Sequence, residues 1–112
     1  MTRDDAAILD ILKAARLAQS FLAGMDRASF LSDEKTQSAV VHQLLIIGEA
    51  AKRVSEALRI GQPSVPWGLM AGMRDKLIHE YDDVDLEEVW QTVVRDLPPV
   101  IAALVLLAGR TS

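Results

Sequence analysis

Residues 74 to 81, Arg-Asp-Lys-Leu-Ile-His-Glu-Tyr, bring a cation, an imidazole and a phenol within two helical turns. An arginine presents a fork of donors that stays charged and matches phosphate oxygens. A histidine ordinarily titrates near neutral pH, so it can take a proton from one oxygen and give one to another. Beside a phosphodiester, Arg74 and His79 would promote attack by a ribose 2′-hydroxyl, with the arginine stabilising the developing charge. Because DNA lacks that hydroxyl, this chemistry predicts metal-independent cleavage of RNA.

The spacing of these residues argues against a site made by one straight helix. In such a helix Arg74 and Tyr81 lie on nearly the same face, and His79 is rotated by about 140° from Arg74. Either the helix ends near His79, or a second copy of the chain completes the site. The incomplete site and a long apolar helix, described below, together favour a dimer with a shared cleft.

The same residues also have plainer interpretations. A charged histidine near a helix C-terminus is stabilised by the helix dipole, Arg74 could pair with a neighbouring acid, and Tyr81 could cover the core edge. Short motifs of this kind are loose. His42 is predicted to be solvated on the polar face of its helix. The acidic residues after the motif lack the spacing of a calcium loop and are interpreted as a solvated turn: Asp82, Asp83, Asp85, Glu87 and Glu88.

Composition restricts the classes of protein that this chain can represent. Half of its 112 residues are apolar, which is enough to bury the core of one domain. The absence of cysteine excludes disulfides, thiolate metal sites and a cysteine nucleophile. The net charge of −4 argues against a generic polyanion binder, so positive charge for RNA must be local. The first residues carry two acids where a secretory signal carries positive charge, and this predicts a cytoplasmic protein.

Apolar periodicity predicts the helices that position the motif. Residues 4 to 23 have the stripe of a helix that Gly24 would end, and residues 25 to 31 are predicted to be a connection. With Ser32 as its N-cap, a long helix is then predicted as far as Leu58, with an apolar middle at residues 44 to 47. Its core-facing stripe comprises Val40, Leu44, Ile47, Ala51, Val54 and Leu58.

The second half of the chain is predicted to contain three further helical segments. One begins near Trp67, after Pro66, and carries the motif, anchored by Met70, Met73 and Leu77. The next is predicted over Leu86 to Leu97, with Asp85 and Glu88 forming a capping box. Pro98-Pro99 should kink or end it, and residues 100 to 108 form a last helix, too short to cross a membrane. The fold class is therefore all-α: one compact domain over residues 1 to 112, a bundle of about four to five helices.

Beyond the motif, the chain resembles the HepT-like family of HEPN-domain proteins over nearly its whole length. Several blocks occur in the order typical of that family. They are Ile47-Gly48-Glu49-Ala50-Ala51-Lys52, Val65-Pro66-Trp67, Ala71-Gly72-Met73-Arg74-Asp75, Leu77-Ile78-His79-Glu80-Tyr81, Val84-Asp85-Leu86-Glu87-Glu88-Val89-Trp90 and Asp96-Leu97-Pro98-Pro99.

The resemblance implies a dimerising helical bundle that is the ribonuclease toxin of a toxin–antitoxin pair. It implies RNA cleavage through an Arg-x4-6-His motif without metal or cofactor, in which Arg74 holds the phosphate and His79 is the acid and base. It also implies a partner nucleotidyltransferase, an MntA-type antitoxin, that attaches AMP to Tyr81. Asp75 stands where HEPN ribonucleases often carry asparagine; it is assigned a supporting catalytic role, although a carboxylate there would repel phosphate.

A second interpretation stays open. The chain could be a non-catalytic module that binds a nucleotide, or docks the nucleotidyltransferase, through a cleft lined by Arg74 and Tyr81. The scarcity of basic residues that could grip RNA favours this alternative.

Overall fold

A computed structural model describes residues 1–80 and 82–111, with side chains as far as Gly109. Within these residues the regular structure is helical throughout, which confirms the all-α prediction. Three long helices and a long composite helix at the C-terminal end account for most of these residues. The elements in chain order are α1 (Arg3–Phe21), α2 (Arg27–Leu31), α3 (Glu34–Lys52), α4 (Glu56–Gly61), α5 (Trp67–His79), α6 (Leu86–Gln91), a π-helical turn (Thr92–Asp96) and α7 (Leu97–Thr111).

Helix α1 follows its predicted stripe. Its N-terminus has a capping box, in which the Thr2 hydroxyl accepts from the Asp5 N–H and the Asp5 carboxylate accepts from the Thr2 N–H, both at 3.0 Å. Shortly after its C-terminus, Gly24 takes φ +80°, a left-handed conformation that favours glycine. The residues predicted to face the core are all buried: Ile8, Ile11, Leu12, Ala15, Ala18 and Leu22.

The segment predicted to be a connection contains the short helix α2. Asp26 caps it, and Phe30 is fully buried with its ring centroid 5.7 Å from that of Trp90. Five residues are too few to show an apolar period, so periodicity could not reveal this helix. The predicted N-cap of the next helix was also wrong by one residue: Ser32 is the C-cap of α2, and Asp33 is the N-cap of α3.

The long helix predicted to reach Leu58 is in fact two helices. Helix α3 ends at Lys52, and Ser55 caps α4 by accepting a hydrogen bond from the Leu58 N–H at 3.1 Å. The Ser55 N–H and hydroxyl also donate to the Asp4 carboxylate on α1, at 2.8 and 2.5 Å. Because Ser55 needs an extended backbone to cap α4, the chain turns where periodicity alone would continue the helix.

Helix α3 is the centre of the bundle. It packs on α1 and on α5, while α7 packs on α1. In its apolar middle, Leu44 and Ile47 are buried, whereas Leu45 and Ile46 are only half-buried. The predicted core stripe is otherwise confirmed at Val40, Ala51 and Val54.

The last helix does not end at its prolines. Residues 86–111 are continuously helical, and the π-helical turn ends at Asp96, two residues before Pro98. Neither proline can donate to a carbonyl four residues earlier, and each ring would crowd that carbonyl. The carbonyls concerned, of Val94 and Arg95, lie in the π-helical turn, whose wider winding gives the rings room.

Because the helix continues through the prolines, its apolar segment is longer than the predicted residues 100 to 108. The stretch Leu86–Gly109 is long and apolar enough, by length and composition, to cross a membrane. One stripe of it is buried within the bundle, and charged residues interrupt it at Arg95 and Asp96, which is the distribution expected of a core helix. The buried stripe comprises Val89, Val93, Leu97, Val100, Leu104 and Leu107.

Candidate active site

Helix α5 carries the predicted motif and begins at Trp67, as predicted. Met70 and Leu77 are buried, and Met73 is half-buried, which confirms the anchoring face of this helix. Pro66 occupies the N-cap position. The helix ends at His79, so the motif histidine is its last residue.

Arg74 is fixed in place by a close approach of α5 to Gly48 on α3. A Cβ atom added to Gly48 would lie 2.2 Å from the Arg74 Cβ and 2.9 Å from the Met70 carbonyl oxygen. Both distances are far shorter than a van der Waals contact, so only glycine allows this crossing. This close contact fixes the Arg74 Cβ against α3.

The Arg74 guanidinium is held by two carboxylates. Its Nε forms a salt bridge with the Glu49 Oε2 at 2.8 Å, and its Nη1 donates to the Asp75 Oδ1 at 3.1 Å. The Arg74 side chain remains 30% exposed, so part of the guanidinium faces solvent. The expectation that Arg74 could pair with a neighbouring acid is confirmed, and the pairing comes from two different helices.

Asp75 has a second cation beside it. The Lys52 Nζ donates to the Asp75 Oδ1 at 2.5 Å, so one carboxylate oxygen accepts from both Lys52 and Arg74. These bonds, first that of Lys52 and then that of Arg74, hold the pKa of the Asp75 carboxyl below its ordinary value. Asp75 is therefore ionised at neutral pH, and its charge is balanced locally. Together with Glu49, the four side chains make a cluster of two cations and two anions.

His79 lies apart from this cluster. It is exposed at the C-terminal end of α5, five residues beyond Arg74, which corresponds to about 7.5 Å along the axis and about 140° around it. Arg74 is turned toward α3, so one chain does not bring the guanidinium and the imidazole to the same face. Tyr81 lies outside the described residues.

Sequence reasoning missed the α3 side of the site. Glu49 and Arg53 are four residues apart, the spacing of a helical ion pair, but Arg53 pairs with Asp10 at 2.6 Å and Glu49 pairs with Arg74. One signal was present: a glycine in a helix interior costs about 0.5–1 kcal/mol relative to alanine, so Gly48 called for a packing reason. The partner helix could not be identified from that signal alone.

Three of the acidic residues after the motif, Asp85, Glu87 and Glu88, have structural partners. Asp85 caps α6 by accepting from the Glu88 N–H at 3.1 Å, which confirms the Asp85 half of the predicted capping box. The Glu88 carboxylate pairs with Lys76 at 2.7 Å, and a further carboxylate of this segment, Glu87, pairs with Arg27 at 2.5 Å. His42 is exposed on α3, as predicted.

Comparison of the sequence with known proteins identifies the family of this chain. Residues 11–106 match the family described as Ribonuclease HepT-like. A protein of Thermococcus cleftensis named "Probable ribonuclease HepT" is 45% identical over 89 residues, covering 80% of this chain and 81% of its own length. A Methanocaldococcus jannaschii protein with a provisional RNase name is 41% identical over 93 residues, covering 83% of this chain and 77% of its own.

No solved structure matches the chain significantly. The family match covers most of the chain, including α3 and α5 with the whole charged cluster and the motif histidine. The chain therefore belongs to the HepT-like ribonuclease family.

Proposed function

We propose that the chain is a metal-independent endoribonuclease of the cytoplasm and the toxin of a toxin–antitoxin pair. The observation that carries this proposal is a partly exposed Arg74, fixed where α3 and α5 cross, with His79 exposed at the end of the same helix. Family membership supports the ribonuclease assignment.

The proposed reaction uses the RNA itself as the nucleophile. His79 takes the proton of a ribose 2′-hydroxyl, O2′ attacks the adjacent phosphorus, and the bond from phosphorus to O5′ breaks. The protonated His79 then gives its proton to O5′, so the products are a 2′,3′-cyclic phosphate and a free 5′-hydroxyl. Arg74 binds the nonbridging oxygens and stabilises their added negative charge in the transition state.

In this proposal Arg74 of one copy works with His79 of a second copy. The helical geometry of α5 supports this arrangement, because the two residues lie on different faces of one helix. A groove of about 770 Å³ runs between α5 and the last helix, and it offers a surface for the second copy. Leu69, at its edge, is 78% exposed, and Gly72 in its wall lies two turns before His79 on the same face. An exposed apolar side chain beside an apolar groove is typical of an association surface.

A complementation experiment tests the reaction and the shared site together. Wild-type protein should cleave single-stranded RNA in EDTA and leave cyclic-phosphate ends, and Arg74→Ala and His79→Ala should each be inactive. When the two variants are co-expressed, random pairing makes half of the dimers mixed, and each mixed dimer has one intact site of two. The mixture should therefore regain about a quarter of wild-type activity.

Different failures have different meanings. Activity in the wild type without recovery in the mixture would show that each chain holds a complete site. Binding of RNA without any cleavage by the wild type would reject the enzyme and favour the non-catalytic binding module. That alternative is supported by the pairing of Arg74 with two carboxylates, which leaves little free positive charge at the site.

Tyr81 is proposed as the residue through which a partner nucleotidyltransferase silences the toxin. The Arg-x4-His-x-Tyr spacing and the family resemblance support this assignment. Transfer of AMP from ATP to the phenol oxygen would release pyrophosphate and put a negatively charged group two residues from His79. That charge would repel RNA from the cleft.

The modification should be visible by mass spectrometry. Incubation of the chain with a nucleotidyltransferase encoded beside it and ATP should add mass in AMP steps, with parallel loss of RNA cleavage. Tyr81→Phe should remain unmodified and should arrest growth even when the partner is present. Mass gain in the Phe variant would assign the acceptor to another residue.

A further inference from the structure

One oxygen atom marks the point where two cationic side chains converge. The Asp75 Oδ1 accepts from the Arg74 Nη1 at 3.1 Å and from the Lys52 Nζ at 2.5 Å. The two donors come from different helices, Lys52 from α3 and Arg74 from α5. Two cationic donors therefore make charge-assisted hydrogen bonds to one anionic oxygen. A nonbridging oxygen of a phosphate would be bound by the same arrangement of donors.

We infer that Lys52 is a second phosphate-binding residue and that the Asp75 carboxylate occupies the phosphate position until RNA displaces it. This inference rests on the proposed function, since it adds a residue and a competing group to the same site. It reverses the role expected for Asp75, which becomes an internal competitor of the substrate and not a catalytic group.

Exchange of Asp75 for phosphate is feasible because the cluster is held near the surface. Lys52 is 36% exposed and Asp75 is 52% exposed, so water can take over the hydrogen bonds of the departing carboxylate. Glu49 on the Nε side keeps Arg74 oriented during the exchange, and the Gly48 contact keeps its backbone in place. RNA would then meet two cations at once, Lys52 and Arg74, in a chain whose net charge is −4.

A purely structural ion pair would behave differently. If the Lys52 and Asp75 pair only joins α3 to α5, loss of either charge should weaken folding a little and should leave RNA affinity unchanged. If Asp75 competes with phosphate, the two substitutions should have opposite effects on RNA affinity. The sign of the Asp75 effect therefore separates the two roles.

RNA binding is measured in a His79→Ala background, so that cleavage does not interfere. Fluorescence anisotropy with a single-stranded oligoribonucleotide gives Kd at several salt concentrations. Lys52→Met should weaken binding about tenfold at low salt and lower the slope of log Kd against log salt by about 0.7, the value for one phosphate contact in a single strand. Asp75→Asn should tighten binding about fivefold, because the phosphate no longer has to displace a negatively charged group from Lys52 and Arg74; this factor is that of one unit charge at about 4 Å in water.

Lys13→Met is the matched control, since Lys13 is an exposed lysine on α1 and its loss changes net charge equally. This variant should leave the salt slope unchanged. An equal effect of Lys13→Met and Lys52→Met, or weaker binding by Asp75→Asn, would overturn the inference. Circular dichroism of each variant verifies that the fold is retained.

A second measurement does not depend on RNA or on cleavage. Inorganic phosphate is titrated into ¹⁵N-labelled wild-type protein, and the side-chain signals of Arg74 Nε and Lys52 Nζ are followed by NMR. Both should shift with a common Kd that falls in Asp75→Asn. If phosphate moves both signals but RNA is not cleaved, the proposed function fails and this inference stands. If RNA is cleaved but the Lys52 signal does not respond to phosphate, the inference fails alone.

Discussion

Replacement of His79 by alanine should reduce RNA cleavage by about 10²–10⁴-fold, the usual contribution of a general acid or base. The fold should persist, because His79 is exposed at the end of α5. Since Arg74 and not His79 binds the phosphate in the proposed reaction, kcat should fall while KM changes little. Initial rates on a labelled RNA, together with thermal melting of the same samples, measure both properties.

His42→Ala provides the matched control for this prediction. His42 is the other histidine of the chain and lies exposed on α3, so its loss removes the same chemical group from another surface. Its activity should equal that of the wild type. If both histidine variants cleave RNA at the wild-type rate, His79 is not the proton-transfer group, and the proposed mechanism is wrong.

Replacement of Gly48 by alanine should have the second large effect. The new Cβ would overlap the Arg74 Cβ and crowd the Met70 carbonyl oxygen, and neither atom lies at the end of a flexible side chain. Helices α3 and α5 must therefore move apart. Overpacking of this kind typically lowers the free energy of unfolding by about 1–3 kcal/mol. Cleavage should fall further than the folded fraction does, because the shift also moves Arg74 away from Glu49.

Gly61→Ala is the control for the Gly48 variant. A Cβ at Gly61, the last residue of α4, would have no heavy atom within 4 Å. Its free energy of unfolding should change by less than about 0.5 kcal/mol, as for an ordinary surface substitution. Urea denaturation of the two variants compares them directly. Equal stability and equal activity of Gly48→Ala and Gly61→Ala would mean that the helix crossing tolerates a side chain.

The charged cluster accounts for a difficulty that composition raises. A net charge of −4 is unfavourable for RNA binding, and an aspartate beside the motif arginine adds a negative charge at the site itself. In the structure, Lys52 lies against that aspartate and compensates its charge. The net charge at the site is therefore set by four side chains where α3 and α5 cross. The net charge of the whole chain does not describe it.

Local patterns predicted much of the fold. The stripe of α1, the start of α5 at Trp67 and the cap at Asp85 all follow from interactions within a few residues of the chain. Errors arose where a longer-range contact decided the outcome. Ser55 ends the helical path because its partner is Asp4, 51 residues away, and the last helix continues through its prolines by changing its winding.

The candidate site also has some features that local sequence predicts and others that depend on longer-range contacts. The candidate reactive groups, Arg74 and His79, and the helical rotation that keeps them apart can be predicted from the sequence, because residue type and helix geometry are local properties. Two further features come from tertiary contacts: the Arg74 Cβ packs against Gly48, and Lys52 and Arg74 donate to the same carboxylate oxygen of Asp75. Those contacts depend on which faces of α3 and α5 pack together, and apolar patterns specify the buried face of each helix without specifying its partner.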